Sequence, residues 1–232
     1  YGNNNYGKDA RETTYKARKT SDDSGKTGRV ATGTGPVTWS HDGTLAGIWD
    51  MNGNVWEWVT GLRLVYGEIQ IIADNDAADN SCDLSASSTA WKAIRASDGA
   101  LVTPDGNGTT DGTVKMDWIS NKCVYSTTIT TKADTGRYCS FKDVTCDSTI
   151  GAAAKLLLQA LAMLPDTALT GEGIDASYGG DGFWFNNGAA ERCPYRGAYW
   201  SDGGSAGVFG VSLSYPRSYS GASIGGRSAY QE

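Results

Sequence analysis

A single histidine, no C-x-x-C pair and no long apolar run set limits on this 232-residue chain before any motif is sought. With only His41, a Ser-His-Asp site would need every partner to gather around the loop-like "WSHDGT", so a surface or capping role is expected for it. Five cysteines, Cys82, Cys123, Cys139, Cys146 and Cys193, are too few and too irregularly spaced for a disulfide scaffold and lack the pairing of zinc sites. Four of them fall between residues 82 and 146, which leaves open both one or two local disulfides and free buried thiols. Clusters of Lys and Arg are also scarce and the formal charge is −6, which argues against nucleic acid or an anionic membrane surface as partner. No apolar stretch approaches the roughly 18 residues that span a bilayer, so no membrane insertion by this segment is expected. No charged-then-apolar leader opens the chain, which begins at Tyr1 rather than Met. An N-terminal part of the full protein is therefore expected to be absent.

What is present suffices for a sizeable core: 39% of the residues are hydrophobic and eight are Trp. A single elaborated α+β domain over residues 1–232 is the reading. The first forty residues are polar and rich in Gly and Thr, with a short helix expected around Asp9 to Lys19. From Gly47, "GIWDMNGNVWEWVTGLRLVYGEIQII" packs Trp49, Trp56 and Trp58 together and then reads as strands through Leu62, Leu64 and Ile69 to Ile71. Residues 74–150, rich in Asp, Ser, Thr and Gly, read as an insertion that decorates the core, with strand candidates at "VKMDWI" and "VYSTTITT". "GAAAKLLLQALAMLPD" is the clearest helix, expected over 151–165 with Pro165 as its stop.

Several motifs fail on inspection. Gly25, Lys26 and Thr27 resemble the end of a phosphate loop, but Thr20 stands where its first Gly belongs and no apolar strand precedes it. "DGNGTTDGTVKM" begins like a calcium loop with Asp105 and Asn107, yet Thr110 replaces the turn Gly and Met116 the bidentate Glu, so a hairpin turn is expected. No Asp or Glu stands out for acid/base work.

"GNVWEW" at 53–58, followed by "PYRGAYW" and "IGGRSA", resembles the C-type-lectin-like fold of formylglycine-generating enzymes and their sulfatase-modifying relatives. The likeness covers roughly residues 39–66 and 178–230. It implies a twisted antiparallel sheet holding the Trp-rich strand and the closing "GGR" strand, with Trp49, Trp56, Trp58 and Trp200 in the core. In some relatives the positions of Asn54 and Glu57 lie near a structural calcium; Glu57 is equally able to pair with Arg196 or Arg227. The family's enzymes act through cysteines in the region matching residues 196–227, where this chain has none, and Cys193 lies just before it. A formylglycine-generating-type oxidase or related metal-dependent enzyme is thus the alternative reading, and no cofactor, metal or catalytic residue is assigned.

"ERCPYRGAYWSDGGSAGVFGVSLSYPRSYSGASIGGRSAY" is more closely similar to the variable region of proteins diversified by retroelements, in which a reverse transcriptase randomises adenines at the 3′ end of a gene. The resemblance implies a variable region over 196–227. Fixed residues such as those of "AGVF" and "IGGR" alternate with Tyr, Ser, Asp, Gly and Ala, the residues reached by randomising AAC codons. Strand periodicity points the same way: Phe209, Val211 and Leu213 would face the core while Gly210, Ser212 and Ser214 face outward. The candidate contact positions are Tyr199, Ser201, Asp202, Ser205, Gly210 and Ser212, then Ser214, Tyr215, Tyr219, Gly221, Ala222 and Ser223. Tyrosine among Ser and Gly is the mix used by antibody loops, because Tyr gives contact area at low entropic cost. Arg217 is expected to anchor the loop to Asp181 or Glu191, and Arg196 and Arg227 to act structurally. The expectation is a binding protein, not an enzyme, on a phage virion or a bacterial cell surface, whose partner is a protein or glycan on a cell.

Overall fold

The computed structural model describes residues 2–8, 28–166 and 180–227. The helix expected around Asp9 to Lys19 and the Gly25–Thr27 motif lie outside them. The described chain is mostly β, with few helices.

Strand β1 (Trp56–Trp58) is followed by a hairpin of β2 (Leu62–Val65) and β3 (Glu68–Ile72). Its two-residue turn places Tyr66 at φ 47° and Gly67 at φ 94°, the left-handed pair that suits the twist of a tight hairpin. A Cβ on Gly67 would run into Ile129, so glycine is needed for space as well. Next come β4 (Trp91–Ile94), β5 (Leu101–Val102), β6 (Lys115–Ile119), β7 (Lys122–Ser126), β8 (Arg137–Ser140) and β9 (Thr145–Cys146). Helix α1 (Ala152–Ala160) precedes β10 (Gly182–Phe185), β11 (Cys193–Arg196), β12 (Val211–Tyr215) and β13 (Ile224–Gly226).

These strands form two sheets. One has the order β13-β1-β11-β12-β10-β8; the other runs β5-β4-β3-β6-β7-β9, with β2 paired to β3. The Trp-rich and "GGR" strands are neighbours, as expected, but the first sheet is mixed rather than antiparallel. β1 runs parallel to β13, and β10 parallel to β12. Strands β12 and β13 point the same way with β11 and β1 between them, so residues 216–223 must cross over one face of the sheet.

The segment 74–150 does more than decorate. It supplies most strands of the second sheet, and Ile94, Val114, Met116, Tyr125 and Phe141 sit in one core with Leu64, Ile69, Phe183, Phe185, Val211 and Leu213. It also contributes β8 to the edge of the first sheet, and a disulfide between Cys123 on β7 and Cys139 on β8 joins the two sheets. With a sequence separation of 16, closing that loop restricts the unfolded chain by about 3 kcal/mol. Cys82, Cys146 and Cys193 are free thiols.

α1 stops five residues short of Pro165. The Met163 N–H reaches the Leu158 carbonyl and the Ala162 N–H that of Gln159, both at 2.9 Å, with Ala162 at φ 50°. This is a Schellman closure, and the Arg196 guanidinium adds hydrogen bonds to the carbonyls of Leu161 (2.8 Å) and Ala162 (3.2 Å). An L-residue pays for the left-handed conformation where glycine does not. Ala162→Gly is therefore expected to stabilise the protein by about 0.5–1 kcal/mol in denaturant unfolding.

Candidate functional site

The first sheet buries one face and opens the other. On β10, period 2 sends Phe183 and Phe185 into the core and Trp184 outward; on β12 it sends Val211 and Leu213 inward, both fully buried, and turns Ser212 and Ser214 to the opposite face. The same alternation puts Tyr138 of β8 and Tyr195 of β11 on the outer face, while Cys139 and Arg196 point back. The outer residues form an open groove of about 450 Å³. The crossing segment supplies one of its walls through Tyr219 and Ser223.

Seven expected contact residues line this groove: Tyr199, Asp202, Ser212, Ser214, Tyr215, Tyr219 and Ser223. The others divide. Ser201 and Ser205 lie half-buried on the loop after β11, outside the groove, although the Ser205 hydroxyl is 3.3 Å from that of Tyr138 in its wall. Gly221 and Ala222 are exposed on the crossing segment, where the Ala222 carbonyl accepts a hydrogen bond from Arg29 at 3.2 Å.

Gly210 corrects the expectation of an exposed position. It is buried, its N–H is bonded to the Gly207 carbonyl at 3.0 Å, and an added Cβ would meet that same oxygen at 3.0 Å. A side chain there would displace the turn. Ser212 is also buried, at 3% exposure, yet it lies on the groove floor rather than in the core. Phe209, expected inside, is half-buried and stacked on Phe141 with ring centroids 5.1 Å apart.

Sequence reasoning missed the aromatic walls that other strands supply. Trp56 meets Trp184 edge-on at 5.3 Å and Tyr195 at 5.2 Å, and Trp184 lies 5.0 Å from Tyr138. Tyr215 stacks between Tyr195 (5.9 Å) and Tyr219 (4.0 Å), so three rings form a ladder at one end. The signal that could have found Trp184 and Tyr138 was the one applied to β12, since "GFWF" and "RYCS" alternate in the same way. Of the expected core tryptophans, Trp56 and Trp200 are buried and Trp49 and Trp58 half-buried.

The crossing segment is tied down at Arg217. Its guanidinium grips Glu191 with two hydrogen bonds, at 2.6 and 2.8 Å, and donates to the Leu84 carbonyl at 2.9 Å. Of the two anchors expected for Arg217, the structure selects Glu191. Asp181 instead accepts the Phe209 N–H at 2.9 Å. Glu191 also receives Arg63 at 3.0 Å, and Arg63 in turn donates to Gln70, and Gln70 to Glu68, in a buried polar chain beneath the outer loops. Arg217, then burial opposing it, then Arg63 set the Glu191 carboxyl, which is held below its ordinary range.

Asn54 and Glu57 bond to other groups of the protein. Asn54 is buried with φ 60°, accepts the Val30 N–H at 2.8 Å and donates to the Val30 carbonyl at 3.1 Å, pinning the N-terminal segment. Glu57 takes Arg227 at 2.7 and 2.9 Å. Among the described residues no group of three or more His, Cys, Asp or Glu is placed to hold a metal. Cys193 borders a smaller pocket with Trp58, Trp91 and Leu84, and burial pushes its thiol up to about 11, away from the reactive thiolate. Asp105 accepts the N–H groups of Asn107 (2.8 Å) and Thr109 (3.2 Å), which makes "DGNG" a turn. His41 accepts the Ile48 N–H at 2.8 Å, a local capping role.

Within the groove, burial raises Asp202 to about 6, opposed only by the hydrogen bond it accepts from the Tyr199 N–H at 3.0 Å. Since the folded state disfavours the carboxylate, this group's contribution is most favourable below the unfolded value near 4 and is lost as pH rises to about 6. Asp202→Asn is therefore expected to match the parent in stability below about pH 4 and to exceed it by on the order of 1 kcal/mol above about pH 7, allowing for water reaching the groove; urea unfolding at both pH values reads this.

No family model and no curated protein matches the chain. No helix among the described residues is long and apolar enough to cross a membrane.

Proposed function

We propose that this chain is a ligand-binding protein, not an enzyme, that displays a retroelement-diversified surface on a C-type-lectin-like scaffold, as a phage receptor-binding protein or a bacterial surface protein. One observation carries the reading. Seven of the positions that the resemblance marks as variable converge on a single aromatic groove, while Val211 and Leu213, which alternate with them, are fully buried. Such a division lets contact residues be rewritten with little effect on folding, because substitutions away from the core usually change stability by less than about 0.5 kcal/mol. Tyr199, Tyr215 and Tyr219 supply rigid contact area, Ser223 supplies adaptable hydrogen bonding, and the small Ser212 and Ser214 leave room at the groove floor. Display in many copies would raise weak affinities by on the order of a hundredfold or more.

The test is genetic. Sequencing the DNA around the gene is expected to reveal a reverse transcriptase and a near-identical repeat of the 3′ end, differing only where the repeat carries adenine, with those codons falling on the groove positions. A repeat that differs at other bases, or the absence of any repeat, would overturn the reading.

A further inference from the structure

We infer that the Asp202 end of the groove is a cation site that takes the ammonium group of a lysine side chain on a protein ligand. The inference rests on the groove being the binding face and adds what it binds. Three rings follow one another there, Tyr138 to Trp184 at 5.0 Å and Trp184 to Trp56 at 5.3 Å, and Tyr199 packs against the same cluster. The 3.3 Å contact between the Tyr138 and Ser205 hydroxyls brings this wall up to the turn that carries Asp202.

Asp202 lines the groove with these rings, and among the described residues no cation pairs with its carboxylate. Its Oδ2 accepts the Tyr199 N–H, and no ion pair among the described residues reaches it. Four arginines are committed elsewhere, Arg217 to Glu191, Arg227 to Glu57, Arg192 to Asp134 and Arg196 to the end of α1, while Arg137, which lines the same groove, lies over the ring of Trp118 at 5.5 Å and makes no salt bridge to Asp202. Ring faces attract cations, and a partly desolvated carboxylate completes the attraction that they begin. Because Oδ2 already accepts an N–H, a two-pronged guanidinium would have to share that oxygen, whereas the point charge of an ammonium needs only Oδ1. The lysine methylenes would lie along Trp184 and Tyr138. A neutral glycan brings no charge to the carboxylate, and the Tyr and Ser lining of the remaining groove is the composition of a protein-binding paratope. Since Asp202 is itself a position expected to vary, this preference belongs to the present sequence and not to its scaffold.

The test titrates Nα-acetyl-lysine methylamide into the purified protein at neutral pH, read by tryptophan fluorescence and by the Trp184 indole and Tyr199 amide resonances. Saturable binding is expected, weaker by about tenfold or more for the Nε-acetylated analogue, which keeps the shape and loses the charge, and likewise weakened in Asp202→Asn. The arginine analogue and choline are expected to bind less well than the lysine probe. Equal responses to charged and acetylated probes, insensitivity to Asp202→Asn, or no saturation up to the probe's solubility limit would overturn the inference. Tighter binding of choline would reassign the site to a quaternary ammonium ligand and overturn it too. An intact template repeat beside a failed titration would remove the cation site alone and leave the binding face standing.

Discussion

Leu213→Ala is expected to lower the free energy of unfolding by about 2–5 kcal/mol, while Ser214→Ala, one residue further on, changes it by no more than about 0.5 kcal/mol. Leu213 is fully buried between the two sheets, so truncation removes apolar contact and leaves a cavity. The Ser214 hydroxyl is buried at the groove without a hydrogen-bond partner, and its removal sacrifices no bond. Denaturant unfolding of both variants at a constant m-value decides the matter. Equal costs at the two positions would mean that β12 does not separate core from contact face.

Glu191→Ala is expected to cost about 3 kcal/mol or more. The side chain of Arg63 is only 7% exposed, and without Glu191 its charge would be left buried with Gln70 and the Ala86 carbonyl as remaining partners. Arg217, 39% exposed, loses less in stability because water can replace its partner, but the crossing segment loses its clasp. Restoring apolar balance with Arg63→Met in the same chain is expected to recover part of the loss. The pH dependence follows the lowered Glu191 value: the pairing contributes fully above the unfolded value near 4.5 and fades as pH falls through the folded one. Urea unfolding of parent and variant between neutral and acid pH should show their difference shrinking on the acid side.

Local rules read from the sequence held where one face of a strand is buried. The alternation in "GVSLS" placed Val211 and Leu213 correctly, and the strands at "VKMDWI" and "LRLV" are present. Those rules failed where long-range packing decides. The length of α1 is set by Ala162 and by Arg196 from a distant strand, and neither is visible in the helical composition that points to Pro165. The polar composition of 74–150 hid a core contribution because Val114 and Met116 are spaced singly in "DGTVKMD" and Ile94 stands between Lys92 and Arg95 in "WKAIRA". The expected contact residues lay in the terminal segment, whereas Trp56, Arg137, Tyr138 and Trp184 of the groove come from β1, β8 and β10, which only the sheet order brings beside it. Gly210 was misplaced because alternation was extended past the start of β12, where a turn and not a strand sets its direction.

The passage from β12 to β13 restricts how such a surface can change. Its two footings lie three strand spacings apart across the sheet, roughly 14 Å, and about four residues apart along it, roughly 13 Å, so the direct path is roughly 19 Å; eight residues can stretch to roughly 27 Å, which leaves slack of about one part in three. Exchanging side chains leaves both footings in place. Deleting more than about a third of the arch would pull β13 from β1, and lengthening it would lift Tyr219 off the ladder it completes. Variety in this architecture is therefore spelled in letters of fixed number, unlike binding loops that also gain reach by growing.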